Sequence, residues 1–317
     1  MATETEAKPV PTKETFHFIN DPADAINEAL TGLTHLHPNL SYAPQYKIVY
    51  RSDLNTFRRS HVTTIGFSGG GHEPMFGGFV GPNFLSAYVS GNVFASPTAA
   101  QIFEAIRMCQ PKPGEGEARG TLVVCGNYTG DILNAGLAIT RAQKRGIRCT
   151  SALWGTTSRW AGRKGLSGHL IALKSACALA AKGESLERVA EIMEYVAANV
   201  GTIGVAFDRI YHPSITLILP TVGRNDVALP NATLTDLQTL PPATIELGMG
   251  AHGEPGLRQI SPIPSPEALT SQMLDLLLDV EDKDRAFIPF SSSNFSPPPP
   301  LRRTGQRTTK SFSSSTL

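Results

Sequence analysis

Apolar positions recur along this chain with two periods, and the exchange of one for the other marks out its elements. In NDPADAINEALTGLTHL (20–36), Ala23, Ile26, Ala29, Leu30 and Leu33 share one side of a helix. YKIVY (46–50), VTTIGF (62–67) and SAYVSGNVFA (86–95) are short runs rich in β-branched and aromatic residues, the composition of strands. SPTAAQIFEAIRMC (96–109) predicts a helix with Ser96 as N-cap and Pro97 in the first turn. After a surface connection, PKPGEGEARG (111–120), come a strand in TLVVC (121–125), a polar loop in GNYTGD (126–131) and a helix in ILNAGLAITRAQKRG (132–146) closed by Gly146. IRCTSALW (147–154) predicts a further strand, and LSGHLIALKSACALAAKG and SLERVAEIMEYVAANVG two consecutive helices. TIGVAF (202–207) returns to a strand. Residues 208–245 read as strands joined by a long loop, and SPEALTSQMLDLLLD (265–279) as a last helix.

Apolar strands alternating with helices predict an α/β fold, with a mostly parallel sheet flanked by helices and a second, smaller region after it. The expected organisation is a flexible N-terminus (1–19), a first α/β domain (20–200), a partial second α/β region (201–290) and a disordered Ser/Pro-rich tail (291–317). There is no internal repeat.

Composition narrows the function. Lys plus Arg number 28 against 27 for Asp plus Glu, and no segment gathers the basic residues that phosphate neutralisation needs, so nucleic acid is not an expected partner. The start, MATETEAKPVPTKE, has no apolar core and does not read as a signal peptide. HLIALKSACALAAK (169–182) is interrupted by Lys174 and too short to span a bilayer, so it reads as a buried helix and no membrane is expected. Cys109, Cys125, Cys149 and Cys177 are far apart and form no Cys-x-x-Cys pair, against both a zinc knuckle and a disulfide framework. The expectation is a soluble cytoplasmic protein.

Three glycine-framed loops carry the candidate chemistry. GFSGGGHEPMFGGFVG (66–81) holds seven glycines and His72, but it matches neither the G-x-G-x-x-G nucleotide fingerprint nor a P-loop. It is either a backbone cradle for a ligand or a glycine-rich turn that leaves His72 exposed. GNYTGD lies where a strand passes into a helix, at the carboxyl edge of a parallel sheet, so Asp131 is either a base or a plain helix-start residue. In ELGMGAHGEPG (246–256) the ring of His252 is sterically free to reach a ligand or attack a carbonyl, or else is a turn histidine bonded to backbone. No pair of histidines has metal-ligand spacing, and no metal is expected on the chain.

Taken together, SGGGHEP, GFVG, VFASP, NYTGD, GRKGLSG, TIGVAF and ELGMGAHGEPG resemble, in this order, the ketone-binding domain of the dihydroxyacetone kinases. HPNL (37–40) and DKDRAF (282–287) extend the resemblance over roughly residues 20–290. It implies ATP-dependent phosphorylation of dihydroxyacetone in glycerol and ketose metabolism. His252 would add to the ketone carbonyl as a covalent hemiaminal, with Asp131 and His72 as the acid/base pair and Gly70, Gly71 and Ser96 contacting substrate. The cofactors implied are ATP and Mg2+, bound by a separate domain or chain. The implied partners are a small ketose and a nucleotide-binding kinase domain in trans, with room for a homodimer.

The chain departs from the family pattern at four places. Its loop reads SGGGHEP rather than SGGGSGHEP, Gly126 stands where lysine is common, the segment from His212 to Thr244 is longer, and the second α/β region stops short at the Ser/Pro tail. The all-helical ATP-binding domain of the single-chain enzymes has no counterpart in these 317 residues. The alternative these departures suggest is a non-catalytic, ketose-binding or regulatory relative.

Overall fold

The run Thr121–Gly126 is buried from end to end, as expected of a strand covered on both faces, and it lies inside the main sheet. A computed structural model describes residues 20–21, 23–155, 167–207, 240–250 and 256–279. The expected flexible N-terminus (1–19), the Ser/Pro tail (291–317) and His252 lie outside the described residues, as does most of the long segment from His212.

In chain order the elements are α1 (Ala25–Leu36), β1 (Leu40–Ala43), β2 (Ile48–Arg51), the short α2 (Leu54–Phe57), β3 (Thr63–Gly70), β4 (Ala87–Val93), α3 (Ala99–Met108), β5 (Thr121–Gly126), α4 (Thr129–Gln143) and β6 (Cys149–Trp154). These are followed by α5 (His169–Ala181), α6 (Leu186–Ala198), β7 (Val205–Ala206), β8 (Ile245–Leu247), β9 (Arg258–Ile260) and α7 (Pro266–Leu278).

Six strands form the main sheet in the order β1-β2-β4-β3-β5-β6. The pairings β4·β3, β3·β5 and β5·β6 are parallel, whereas β1·β2 and β2·β4 are antiparallel. The mostly parallel α/β fold expected from the sequence is thus observed. The antiparallel edge was not foreseen, because β1 is only four residues long and its burial does not alternate. The second sheet, β7-β8-β9, is small and wholly antiparallel, and β7 keeps just two residues of the strand expected at 202–207.

Strand alternation sends side chains to two cores. Leu122 and Val124 of β5 join Ile26 and Leu30 of α1, Leu173 and Cys177 of α5 and Val189 and Met193 of α6 on one face. Val123 and Cys125 join Ile65 and Phe67 of β3, Ile102 and Ile106 of α3 and Ala135 and Ala138 of α4 on the other. α5 is buried on one side only, through Ala172, Leu173, Ala176, Cys177 and Ala180, while Ile171 is 57% exposed. Among the described residues no helix is long and apolar enough to cross a membrane.

Two helix starts differ from the sequence reading. α3 is capped by Thr98, not Ser96: Thr98 Oγ1 accepts from the Gln101 N–H at 3.3 Å and Gln101 Oε1 accepts from the Thr98 N–H at 3.0 Å, a reciprocal box. The Ser96 hydroxyl is engaged elsewhere. α4 begins at Thr129, three residues before the expected start, which draws Asp131 into its first turn.

β4 ends in a tight reversal against β3. The Phe94 N–H donates to the Gly70 carbonyl at 2.8 Å and the Ala95 N–H to the Asn92 carbonyl at 3.0 Å. A Cβ on Gly91 would lie 1.8 Å from the Ala95 carbonyl oxygen, so this reversal closes only over glycine. Gly91→Ala is expected to destabilise the protein by about 3 kcal/mol, since backbone rather than a flexible side chain must move. A urea midpoint unchanged from that of the parent protein would contradict this.

All four cysteines are free and buried. Burial pushes the thiols of Cys109, Cys125 and Cys177 up to about 12 and that of Cys149 to about 11. An unfolded chain loses these protons near the ordinary thiol value of 9.0. The resulting stability is complete below that pH and is lost as pH rises through it towards the folded values. The melting temperature is therefore expected to fall from about pH 8 to about pH 10, and a thiol reagent at about pH 8 to react only after unfolding. Rapid labelling of the native protein would contradict the burial.

Candidate active site

Chain direction decides where ligands meet a parallel sheet. β3 and β5 are parallel neighbours, paired from Thr63↔Thr121 to Gly66↔Val124, but the chain leaves β3 towards β4 on one side and leaves β5 towards β6 on the other. Their loops therefore diverge at the carboxyl ends, the topological switch point where α/β proteins form their ligand-binding crevice. The glycine loop follows β3 and the GNYTGD loop overlaps the end of β5, so two of the three sequence candidates flank one crevice.

On the β3 side, Gly70 closes the strand and its carbonyl is taken by Phe94. The Gly71 N–H donates to the Glu73 carboxylate at 2.8 Å, and the other Glu73 oxygen lies 3.5 Å from the Ser90 hydroxyl. His72 is half-buried, with Nδ1 at 3.3 Å from the Gly69 carbonyl and its ring centroid 5.5 Å from that of Phe94.

On the β5 side, Asp131 is 5% exposed in the first turn of α4, where the helix dipole favours a carboxylate. The helix N-cap is Tyr128, which makes no side-chain capping bond, so Asp131 is not the cap itself. The Ser96 hydroxyl donates to Asp131 Oδ1 in a short hydrogen bond. Ser96 therefore contacts the proposed base directly. The turn Phe94–Ser96 joins the two sides of the crevice, touching His72 at one end and Asp131 at the other.

Several residues that sequence reasoning passed over complete the site. Tyr88 and Ser68 share a hydrogen bond at 3.1 Å. Burial pushes the Tyr88 phenol up to about 12; hydrogen bonds with Ser68 and Ser90 oppose this, and the charges of Glu73 and Asp131 add to it. Tyr88 thus lies within electrostatic reach of carboxylates from both sides. Trp154, opposite Gly126 in the β5·β6 register, stacks on His169 with ring centroids 4.3 Å apart and contacts Phe76 at 5.7 Å. The one usable signal for Glu73 was its place in the GHEP string. Tyr88 and Trp154 read as ordinary strand aromatics, because only the sheet brings them to the crevice.

Gly248 and Gly256, near either end of the stretch containing His252, are described, and the Gly256 N–H donates to buried Glu246 at 2.5 Å. No group of three His, Cys, Asp or Glu side chains among the described residues is arranged to hold a metal ion.

Comparison with known proteins follows this geometry. The family profile described as the Dak1 domain matches residues 31–294. Dihydroxyacetone kinase 1 of Saccharomyces cerevisiae is 34% identical over 282 residues, which is 86% of this chain and 44% of that protein. Triokinase/FMN cyclase of Mus musculus is 34% identical over 266 residues, 82% of this chain and 41% of that protein. The crystal structure of the dihydroxyacetone kinase from C. freundii in complex with AMP-PNP and Mg2+ aligns with a TM-score of 0.69 at 29% identity, covering 83% of this chain and 46% of that one. The chain thus spans less than half the length of each of these three proteins. With the profile matching residues 31–294, most of its length, this chain belongs to the Dak1 domain family.

Proposed function

We propose that this chain is the ketose-binding part of a dihydroxyacetone kinase, holding dihydroxyacetone for ATP-dependent phosphorylation in glycerol and ketose metabolism. The observation that carries this reading is the buried Asp131 carboxylate, held by Ser96 at the switch-point crevice beside the His72 loop. A three-carbon ketose offers little surface to bury, so noncovalent affinity is weak and a covalent anchor has a clear purpose. In the proposed anchor a ring nitrogen of His252 adds to the ketone carbon, the carbonyl oxygen takes up a proton, and a hemiaminal forms with no group leaving. Glycerol has no carbonyl and is excluded from this step.

With the ketose fixed, Asp131 or His72 accepts the proton of the substrate hydroxyl as that oxygen attacks the γ-phosphorus and ADP departs. The phosphoryl donor would be ATP with Mg2+, bound by a separate domain or chain, in line with the AMP-PNP and Mg2+ bound by the C. freundii enzyme. Gly70 and Gly71 shape the crevice, while Ser96 acts on Asp131 and borders the substrate. A homodimer remains part of the proposal, and four unpaired thiols support a cytoplasmic setting. A ketose sensor without catalysis is the weaker reading, because the relatives quoted are kinases by name.

Calorimetric titration with dihydroxyacetone is expected to give saturable heat, and with glycerol none. His252→Ala should abolish that heat, and wild-type heat should decline as pH falls through about 6.5, where an ordinary imidazole takes its proton. Tight ketone binding by the variant would end the covalent role. Asp131→Asn should bind dihydroxyacetone with nearly unchanged affinity but, with a nucleotide-binding kinase domain supplied, turn over at least about a hundredfold more slowly. Unchanged turnover would remove Asp131 from the mechanism.

A further inference from the structure

Apart from proline, glycine is the least favourable residue inside a helix, so one in the first turn of α4 needs a reason. Gly130 directly precedes Asp131, is exposed to solvent, and does not have a positive φ. No left-handed backbone therefore calls for glycine at this position.

A Cβ built at Gly130 supplies the reason. It would lie 2.8 Å from Ser96 Oγ and 3.3 Å from Ser96 Cβ. Leaving aside its chain neighbours and the helix backbone, nothing else among the described residues comes within 4 Å of it. The Ser96 hydroxyl is the same group that donates to Asp131 Oδ1. A serine hydroxyl turns to another rotamer at little cost, so the fold can accommodate alanine at 130, and what alanine displaces is the hydrogen bond. Gly126, also beside this carboxylate, differs. A Cβ there would meet Asp131 Oδ2 at 3.1 Å and the rings of Trp154 and Tyr128 at 3.2 Å, pressing on three side chains at once.

We infer that Gly130 is a positioning residue: having no side chain, it admits the Ser96 hydroxyl to Asp131 and so fixes the orientation of that carboxylate. The consequence for turnover rests on the reading of Asp131 as a base in a ketose kinase; the contact itself does not.

The test is a double-mutant cycle on the full chain with Gly130→Ala and Ser96→Ala. Alanine is the better helix former and restricts the unfolded chain, so in the Ser96→Ala background Gly130→Ala is expected to raise the urea midpoint. In the parent it is expected to lower the midpoint, because a hydrogen bond to a buried carboxylate stabilises by more than that gain. Equal shifts in both backgrounds, or failure to fold in both, overturn the inference and leave the ketose reading as it was. With a nucleotide-binding kinase domain supplied, Gly130→Ala is expected to slow turnover roughly tenfold while calorimetric affinity for dihydroxyacetone stays nearly unchanged. It should add nothing to the loss in Ser96→Ala. Parent-like turnover by Gly130→Ala overturns the positioning role, again without touching the ketose reading. A coupled urea cycle in a chain that gives neither heat nor turnover with dihydroxyacetone upholds the placement of Asp131 and ends the ketose reading. The urea cycle needs no catalysis, so it decides the contact even where turnover is absent.

Discussion

Strand β3 pairs in parallel with β4 on one side and β5 on the other, and the candidate site depends on that double pairing. Because the chain turns opposite ways on leaving β3 and β5, the backbone ends that would otherwise pack against a crossover stay open to a ligand. Side-chain alternation along β4 and β5 contributes to both hydrophobic cores, so the strands that flank β3 are anchored on both faces of the sheet. A site anchored in this way is held by the core rather than by its loops.

Within the crevice the main difficulty is keeping a carboxylate out of water. Burial disfavours the charged form of Asp131, while the first turn of α4 and the Ser96 hydroxyl favour it. Ser96 can serve only because the chain reverses sharply after β4, and that reversal closes over Gly91. Glu73 does comparable work on the other side, capturing the Gly71 N–H and approaching Ser90. Each side of the crevice is thus tied to β4 or to the turn that follows it.

The glycine at 126 takes a different meaning in this setting. Beside the family pattern it reads as a lost lysine. In the fold, the volume that a side chain there would need is bounded by Trp154, Tyr128 and Asp131. Glycine is therefore the residue that fits between these three side chains without displacing any of them.

Local pattern alone determined most of the secondary structure: the amphipathic repeats of α1, α6 and α7, the buried run of β5 and the exchange of strand and helix that implies a parallel sheet. Ordered motifs identified the family and selected His72, Asp131, Ser96 and His252. Helix starts were less legible, because Ser96 and Thr98 are both sound N-caps by composition and only tertiary contact decided between them, by giving the Ser96 hydroxyl to Asp131. The antiparallel edge formed by β1 and β2 was hidden for a similar reason, since a four-residue strand carries too few positions to show a period. Tyr88 and Trp154 were beyond reach of the sequence, because their places at the sheet's carboxyl edge follow from register and strand order. Periodicity is written in neighbouring residues, whereas which strand lies beside which is settled by long-range pairing, and the crevice exists only through the latter.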